Sequence, residues 1–213
     1  WSYYLKRDYA GDSLYNNFEK QHRLWARYSS EKLEARFGLQ KIIFGPTQIL
    51  RPLSWFDTFD VKDPTGRTNG VNAFRLKLFP SNNVSIWSWL IKSELNTLSL
   101  GGRTELSSTI GEFGFTLHLD PSSSNQFIGQ TQTFIKDSHS RIAIDYRYDG
   151  FIGFWNESVL IRSEKSEILL SSIGADYTLP VANRVLVMTE TMNISNKYQT
   201  QNNNQSYTAI MAS

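Results

Sequence analysis

The sequence predicts an all-β fold, an antiparallel up-and-down β-barrel built to span a membrane. Three observations lead there. Apolar and polar residues alternate with period two along most of the chain, the mark of strands with two unlike faces. The alternating segments run to roughly 8–12 residues, longer than the 5–6 usual in globular sheets and close to the 9–11 that a tilted spanning strand needs. The connections alternate between short and long, as they do in membrane barrels.

The clearest strand is 33–40, where Leu33, Ala35, Phe37 and Leu39 share one face against Glu34, Arg36, Gly38 and Gln40. In 112–120, Phe113, Phe115, Leu117 and Leu119 oppose Glu112, Thr116, His118 and Asp120. In 141–148, Ile142, Ile144, Tyr146 and Tyr148 oppose Arg141, Asp145 and Arg147. The same pattern places strands at 20–28, 71–79, 84–92, 126–136, 151–162, 167–178, 184–195 and 205–213, with a strand end at 1–6. That makes about eleven or twelve strands. Helical periodicity is poor outside a short stretch at 49–59. Segments 29–32, 80–83 and Asp149-Gly150 read as tight turns on one side of the sheet. Segments 7–19, 45–70, 93–110 and 196–204 read as long loops on the other. The chain starts at Trp1 and stops inside a strand pattern. It therefore reads as a single barrel domain, 1–213, truncated at both ends, from a barrel with an even number of strands above twelve.

Composition narrows the function. The 213 residues carry 22 Lys+Arg and 20 Asp+Glu, a net charge of +2. This lacks the basic excess of a nucleic-acid binder. The longest apolar run, around 87–91, falls far short of the roughly 20 residues of a spanning helix. With no cysteine, disulfide scaffolds, thiolate zinc sites and cysteine nucleophiles are excluded. Aromatic residues make up 14% of the chain. Several of them (Tyr28, Phe44, Phe79, Tyr148, Phe151 and Tyr177) fall near inferred strand ends, where a membrane barrel carries its girdles. An amphipathic sheet can also face water. A soluble, secreted β-sandwich that stacks sugars on Trp87, Trp89 and Trp155 therefore stays open as an alternative.

Residues 35–46 (ARFGLQKIIFGP) run into 49–57 (ILRPLSWFD), then Asp63-Pro64 and 68–71 (TNGV). This block resembles a family of porin-like outer-membrane β-barrels of Gram-negative, Bacteroidota-type bacteria, mostly uncharacterised. Asn82-Asn83 with Ile86, Trp87 and Trp89 is similar to the following hairpin of that family. Arg141–Asp145, Gly153–Glu157 and Gly174–Tyr177 resemble later ones, while 93–135 match only loosely. The resemblance implies a barrel in the bacterial outer membrane and, more weakly, transport.

The candidate site follows from face and loop length. Inward charges would line a water-filled lumen: Arg23, Arg27, Glu34, Arg36, Arg75, Lys77, Glu112, His118, Arg141, Asp145, Arg147 and Asp176. The 45–70 segment is too long for an idle turn. It carries Arg51, Trp55, Asp57, Asp60, Asp63 and Arg67 and is expected to fold into the lumen as a constriction. Asp57, Asp60 and Asp63 lack the alternating oxygen array of a calcium loop, and Asp63-Pro64-Thr65-Gly66 reads equally as a turn, so no metal is expected. The histidines are His22, His118 and His139. The linear Asp137-Ser138-His139 cannot form a catalytic triad, which is a spatial arrangement. No catalytic residue and no cofactor is expected. The predicted activity is passive or weakly selective passage of small polar solutes, set by lumen charge and width. The expected partners are membrane lipid and those solutes, with no nucleic acid; the reading allows a homo-oligomer. A non-conducting barrel with an anchoring or enzymatic role is the remaining alternative.

Overall fold

The computed structural model describes residues 2–10, 13–56, 70–92, 96–122, 124–128, 131–135, 137–181, 185–198 and 201–212; side chains are described from residue 23 onward, apart from 124–128, 131–134, 198 and 201–203. Every regular element among them is a strand. In chain order these are β1 (Ser2–Ala10), β2 (Ser13–Ser29), β3 (Leu33–Gln40), β4 (Val71–Ser81), β5 (Val84–Lys92), β6 (Leu98–Ser108) and β7 (Gly111–Asp120). They continue with β8 (Ser124–Ile128), β9 (Thr131–Ile135), β10 (His139–Tyr148), β11 (Gly153–Ser163), β12 (Ser166–Leu179), β13 (Val185–Tyr198) and β14 (Gln201–Ala212). Twelve strands form one antiparallel sheet in sequence order, with β7 paired directly to β10. The hairpin of β8 and β9 stands apart in the connection between them. β1 and β14 are the edges, and among the described residues they do not pair with each other. The expected all-β, antiparallel up-and-down arrangement is thus present as one sheet, and that sheet is not closed into a barrel.

Local expectations are corrected as well. The segment 93–110 is not a long loop, because β6 fills Leu98–Ser108. Its Gly101-Gly102 pair weakens the strand signal, but Gly101 has a tertiary purpose. The indole of Trp89 lies on it, and a Cβ there would meet the ring at 2.5 Å. The segment 126–136 is not a strand of the sheet; it doubles back as β8 and β9, with Ile128 opposite Thr131. One strand missed and one strand added cancel, so the later strands keep their expected direction. The 7–19 and 196–204 loops are also replaced by strand, since β1 and β2 are separated only by 11–12, and β13 and β14 only by 199–200. Residues 49–56 form no helix.

On β7 and β10 burial is inverted relative to a water-soluble protein. The apolar partners Phe115 and Ile144 are 50% and 56% exposed, while Thr116, His118, Arg141 and Asp145 between them are buried. Phe37, Phe74, Leu100, Leu117 and Leu119 are likewise exposed. The apolar core lies on the other face. It forms between residues 42–56 (Ile42, Phe44, Leu50, Leu53 and Trp55) and inward side chains of β4, β5 and β10–β13. The sheet therefore curls around that segment. The aromatics Tyr28, Tyr148 and Phe151 are exposed at one rim, where Phe151 packs against Tyr177 with ring centroids 5.1 Å apart. Phe44 is not a rim residue: it is buried in the core.

The same inward step recurs twice. Trp89 on β5 lies over Gly101 on β6 and donates its indole N–H to His118 Nδ1 on β7 at 3.2 Å. Trp155 on β11 lies over Gly174 on β12 and donates to Glu190 Oε1 on β13 at 3.2 Å. In each case the glycine makes room for the ring and the next strand supplies an acceptor for its N–H. A Cβ at Gly174 would meet the Trp155 indole at 2.3 Å. Gly174→Ala is expected to destabilise the fold by about 1–3 kcal/mol through overpacking, read as a lowered urea midpoint. An unchanged midpoint would mean that the indole moves aside at no cost.

Candidate functional site

After β3 the chain turns onto the concave face. Gln40, fully buried at the end of β3, donates from Nε2 to the Ala73 carbonyl at 2.9 Å. At Gly45 the backbone adopts φ +93°, and a Cβ would meet Glu157 Oε1 at 2.3 Å. Only glycine meets both demands. Residues 41–56 contain no helix or strand, so their backbone N–H groups need other partners. Two carboxylates provide them. Glu157 Oε1 accepts from Thr47 N at 2.8 Å, and its Oε2 accepts from Leu53 N at 3.1 Å. Glu190 Oε1 accepts from Gln48 N at 2.7 Å, while its Oε2 accepts from Ile49 N at 2.9 Å and Leu50 N at 2.8 Å. Both glutamates are at most 1% exposed. Five amides are thus held by two acids that stand on β11 and β13.

Aromatic packing fixes the other flank. Phe44 stacks on Trp89 at 5.5 Å and meets Trp55 edge-on at 5.7 Å. Phe56 meets His118 edge-on at 4.9 Å. The Arg103 guanidinium sits over Phe44, and that of Arg141 over Trp55. The segment bears on both walls of the curl, β5 to β7 on one side and β11 to β13 on the other.

The inward charges are paired across strands. Arg103 on β6 makes a bidentate pair with Asp145 on β10, at 2.6 and 2.9 Å. The pair passes over Gly114 of β7, where a Cβ would collide with both groups. Arg103 also contacts Glu105 at 2.8 Å, and Lys77 reaches Glu105 at 3.5 Å across β5. On β2 to β4, by contrast, Arg27, Arg36 and Arg75 all converge on the single carboxylate of Glu34. That arc carries more positive than negative charge. Below the segment, a cavity of about 340 Å³ opens between Phe44, Pro46, Gln48, Glu105, Glu112 and Arg147.

The residues predicted to line a lumen take different places. Arg27, Glu34, Arg36, Arg75 and Lys77 form the basic arc, with Arg23 beside Gly70. Glu112 and Arg147 flank the cavity, and Asp176 lies over Gly153. His118, Arg141 and Asp145 are buried under or beside the segment. Arg141 Nη2 lies 2.9 Å from His139 Nε2. From the 45–70 loop, Arg51 and Trp55 are in place on the concave face; Asp57, Asp60, Asp63 and Arg67 lie outside the described residues. Among the described residues no group of three His, Cys, Asp or Glu is placed to hold a metal ion. Trp89 and Trp155 are buried and Trp87 is partly covered, so the first two offer no ring face on which a sugar could stack.

Sequence reasoning missed Glu157, Glu190, Arg103 and Glu105. The last two fell in the segment read as a loop. The two glutamates carried a weak signal, each a single acid inside a mostly apolar inward row, between Trp155 and Val159 and between Met188 and Met192. Compared with protein-family models, with curated proteins and with solved structures, the chain finds no match.

Proposed function

We propose that this chain is the wall and inner plug of an outer-membrane β-barrel of porin-like type that passes small polar solutes. The observation that carries this reading is the inverted burial from β6 to β10: Leu100, Phe115, Leu117 and Ile144 point outward and are exposed, while Arg103, His118, Arg141 and Asp145 point inward and are buried. Water rewards the opposite arrangement. A hydrocarbon surround rewards this one, and strands cross it only where backbone groups are paired. On this reading the edges β1 and β14 complete their pairing in the assembled barrel. Residues 41–56 restrict the lumen, and solutes pass along the side of the cavity lined by Gln48, Glu112 and Arg147. The arginine excess around Glu34 favours anions.

The experiment is conductance of the full-length protein in a planar bilayer, alongside its mobility on gels. A barrel is expected to partition into detergent and to run faster unboiled than boiled. Discrete current steps with a weak anion preference are expected, and Arg27→Glu with Arg36→Glu should move the reversal potential toward cations. A protein that stays soluble without detergent and shows no heat-dependent shift would overturn the membrane reading. A membrane-inserted protein that never conducts, even with its plug loosened, would leave an anchoring barrel in place of a channel.

A further inference from the structure

The outward face is not apolar throughout. One row of directly paired outward residues crosses the sheet from β7 to β14: Phe115, Ile144, Ser158, Ser171, Asn193 and Ser206. It changes from hydrocarbon to hydroxyl and amide between β10 and β11. On β13 the outward positions Thr189, Thr191, Asn193 and Ser195 are all polar. The inward positions behind them are apolar or held by the plug, as Met188, Met192 and Ile194 are buried. Strand tilt does not explain the stripe as a section that has left the membrane. On β11, Asn156 and Ser158 lie between Phe154 and Leu160, and on β12, Ser171 lies between Leu169 and Ile173. On β11 and β12 the polar residues are thus inside the apolar band, and on β13 and β14 the row continues from them.

Hydrocarbon offers such groups no partner, and an unpaired hydroxyl or amide there costs about 2–7 kcal/mol. Some of the stripe satisfies itself. Ser158 and Ser171 hydroxyls are 3.1 Å apart, and Asn156 Nδ2 donates to the Ser172 carbonyl at 2.9 Å. Asn193 has no side-chain partner among the described residues. It borders a groove of about 360 Å³ with Leu169, Ser171, Ser195, Asn204 and Ser206.

Resting on the membrane reading above, we propose that this stripe is the interface between two copies of the chain, packed face to face about a two-fold axis. The stripe holds no charge at its centre, so it does not call for a charged partner. Asn, Ser and Thr each carry both a donor and an acceptor. A face made of them is therefore complementary to itself, as an isologous contact requires. Association removes the stripe from lipid and leaves the Phe115 and Ile144 side of the sheet to face it.

The chain has no cysteine, so single cysteines in the full-length protein report cleanly. Asn193→Cys or Ser206→Cys in native membranes should cross-link into a dimer under mild oxidation or with a short bis-maleimide. Co-expressed copies with different tags should appear in one band. Ile144→Cys should stay monomeric and should react with a photoactivatable acyl-chain lipid. If Ile144→Cys reacts with lipid but Asn193→Cys reacts equally and stays monomeric, the interface is overturned and the membrane reading stands. Cross-linking of Asn193→Cys only to a different protein, or its free labelling by a water-soluble maleimide, also overturns the interface. If Ile144→Cys is never labelled by lipid, the membrane reading itself fails.

Discussion

Glu157→Gln combined with Glu190→Gln is expected to release residues 41–56 from the concave face and, on the channel reading proposed above, to raise single-channel conductance several-fold. Each carboxylate uses both oxygens to accept backbone N–H groups of the segment. A carboxamide keeps one oxygen and turns its NH2 toward donors, so bonds are lost and donors face each other. Hydrogen bonds to charged groups contribute roughly 1.5–3 kcal/mol each. Losing about 3 kcal/mol corresponds to a shift of roughly a hundredfold toward the released state. The aromatic contacts of Phe44, Trp55 and Phe56 would remain, so release should be partial and reversible. Limited proteolysis within 46–56 gives a second readout, faster in the double variant than in the wild type. Unchanged conductance together with unchanged cleavage would show that the two acids do not hold the segment in place.

On the membrane reading proposed above, Ile144→Arg and Phe115→Arg are expected to cost about 2–4 kcal/mol each, the range for a cation near the bilayer midplane on the lipid side of a barrel. Both wild-type side chains are at least half exposed on the outward face. They face each other in the β7–β10 register. In a protein whose outward face meets water, the same substitutions would be close to neutral and would improve solubility. Urea titration of refolding into lipid vesicles, followed by the unboiled gel shift, reads the difference. Midpoints equal to wild type would exclude lipid contact at this part of the sheet.

Much of the fold was legible because strand geometry writes itself into local sequence. Side chains alternate across a strand whatever its partners are, so Phe113 to Leu119 and Ile142 to Tyr148 declared two faces without any tertiary information. The failures occurred where tertiary demands overrode local preference. β6 carries Gly101 because Trp89 needs the space, and the Gly101-Gly102 pair hid the strand. The run 126–136 reads as one strand although Gly129, a residue that weakens a strand interior, falls within it. Identity alone does not tell whether a tryptophan is exposed or buried, so the burial of Trp89 and Trp155 was not legible in the sequence.

The site divides the same way. Sequence pointed to the 45–70 segment through its length, and to the arginines of β2 to β4 through their strand parity. It could not identify Glu157 and Glu190 as anchors, because their partners are backbone amides of residues more than a hundred positions away. Every residue carries such an amide, so it leaves no mark in composition or spacing. The sequence by itself determined most of the strands and the two unlike faces of each, consequences of period-two chemistry along one chain. Only the tertiary structure decided which face is buried, which acids grip the segment that fills the curl, and where the outward face turns polar. Those outcomes depend on curvature bringing distant strands together, and curvature is a property of the whole sheet.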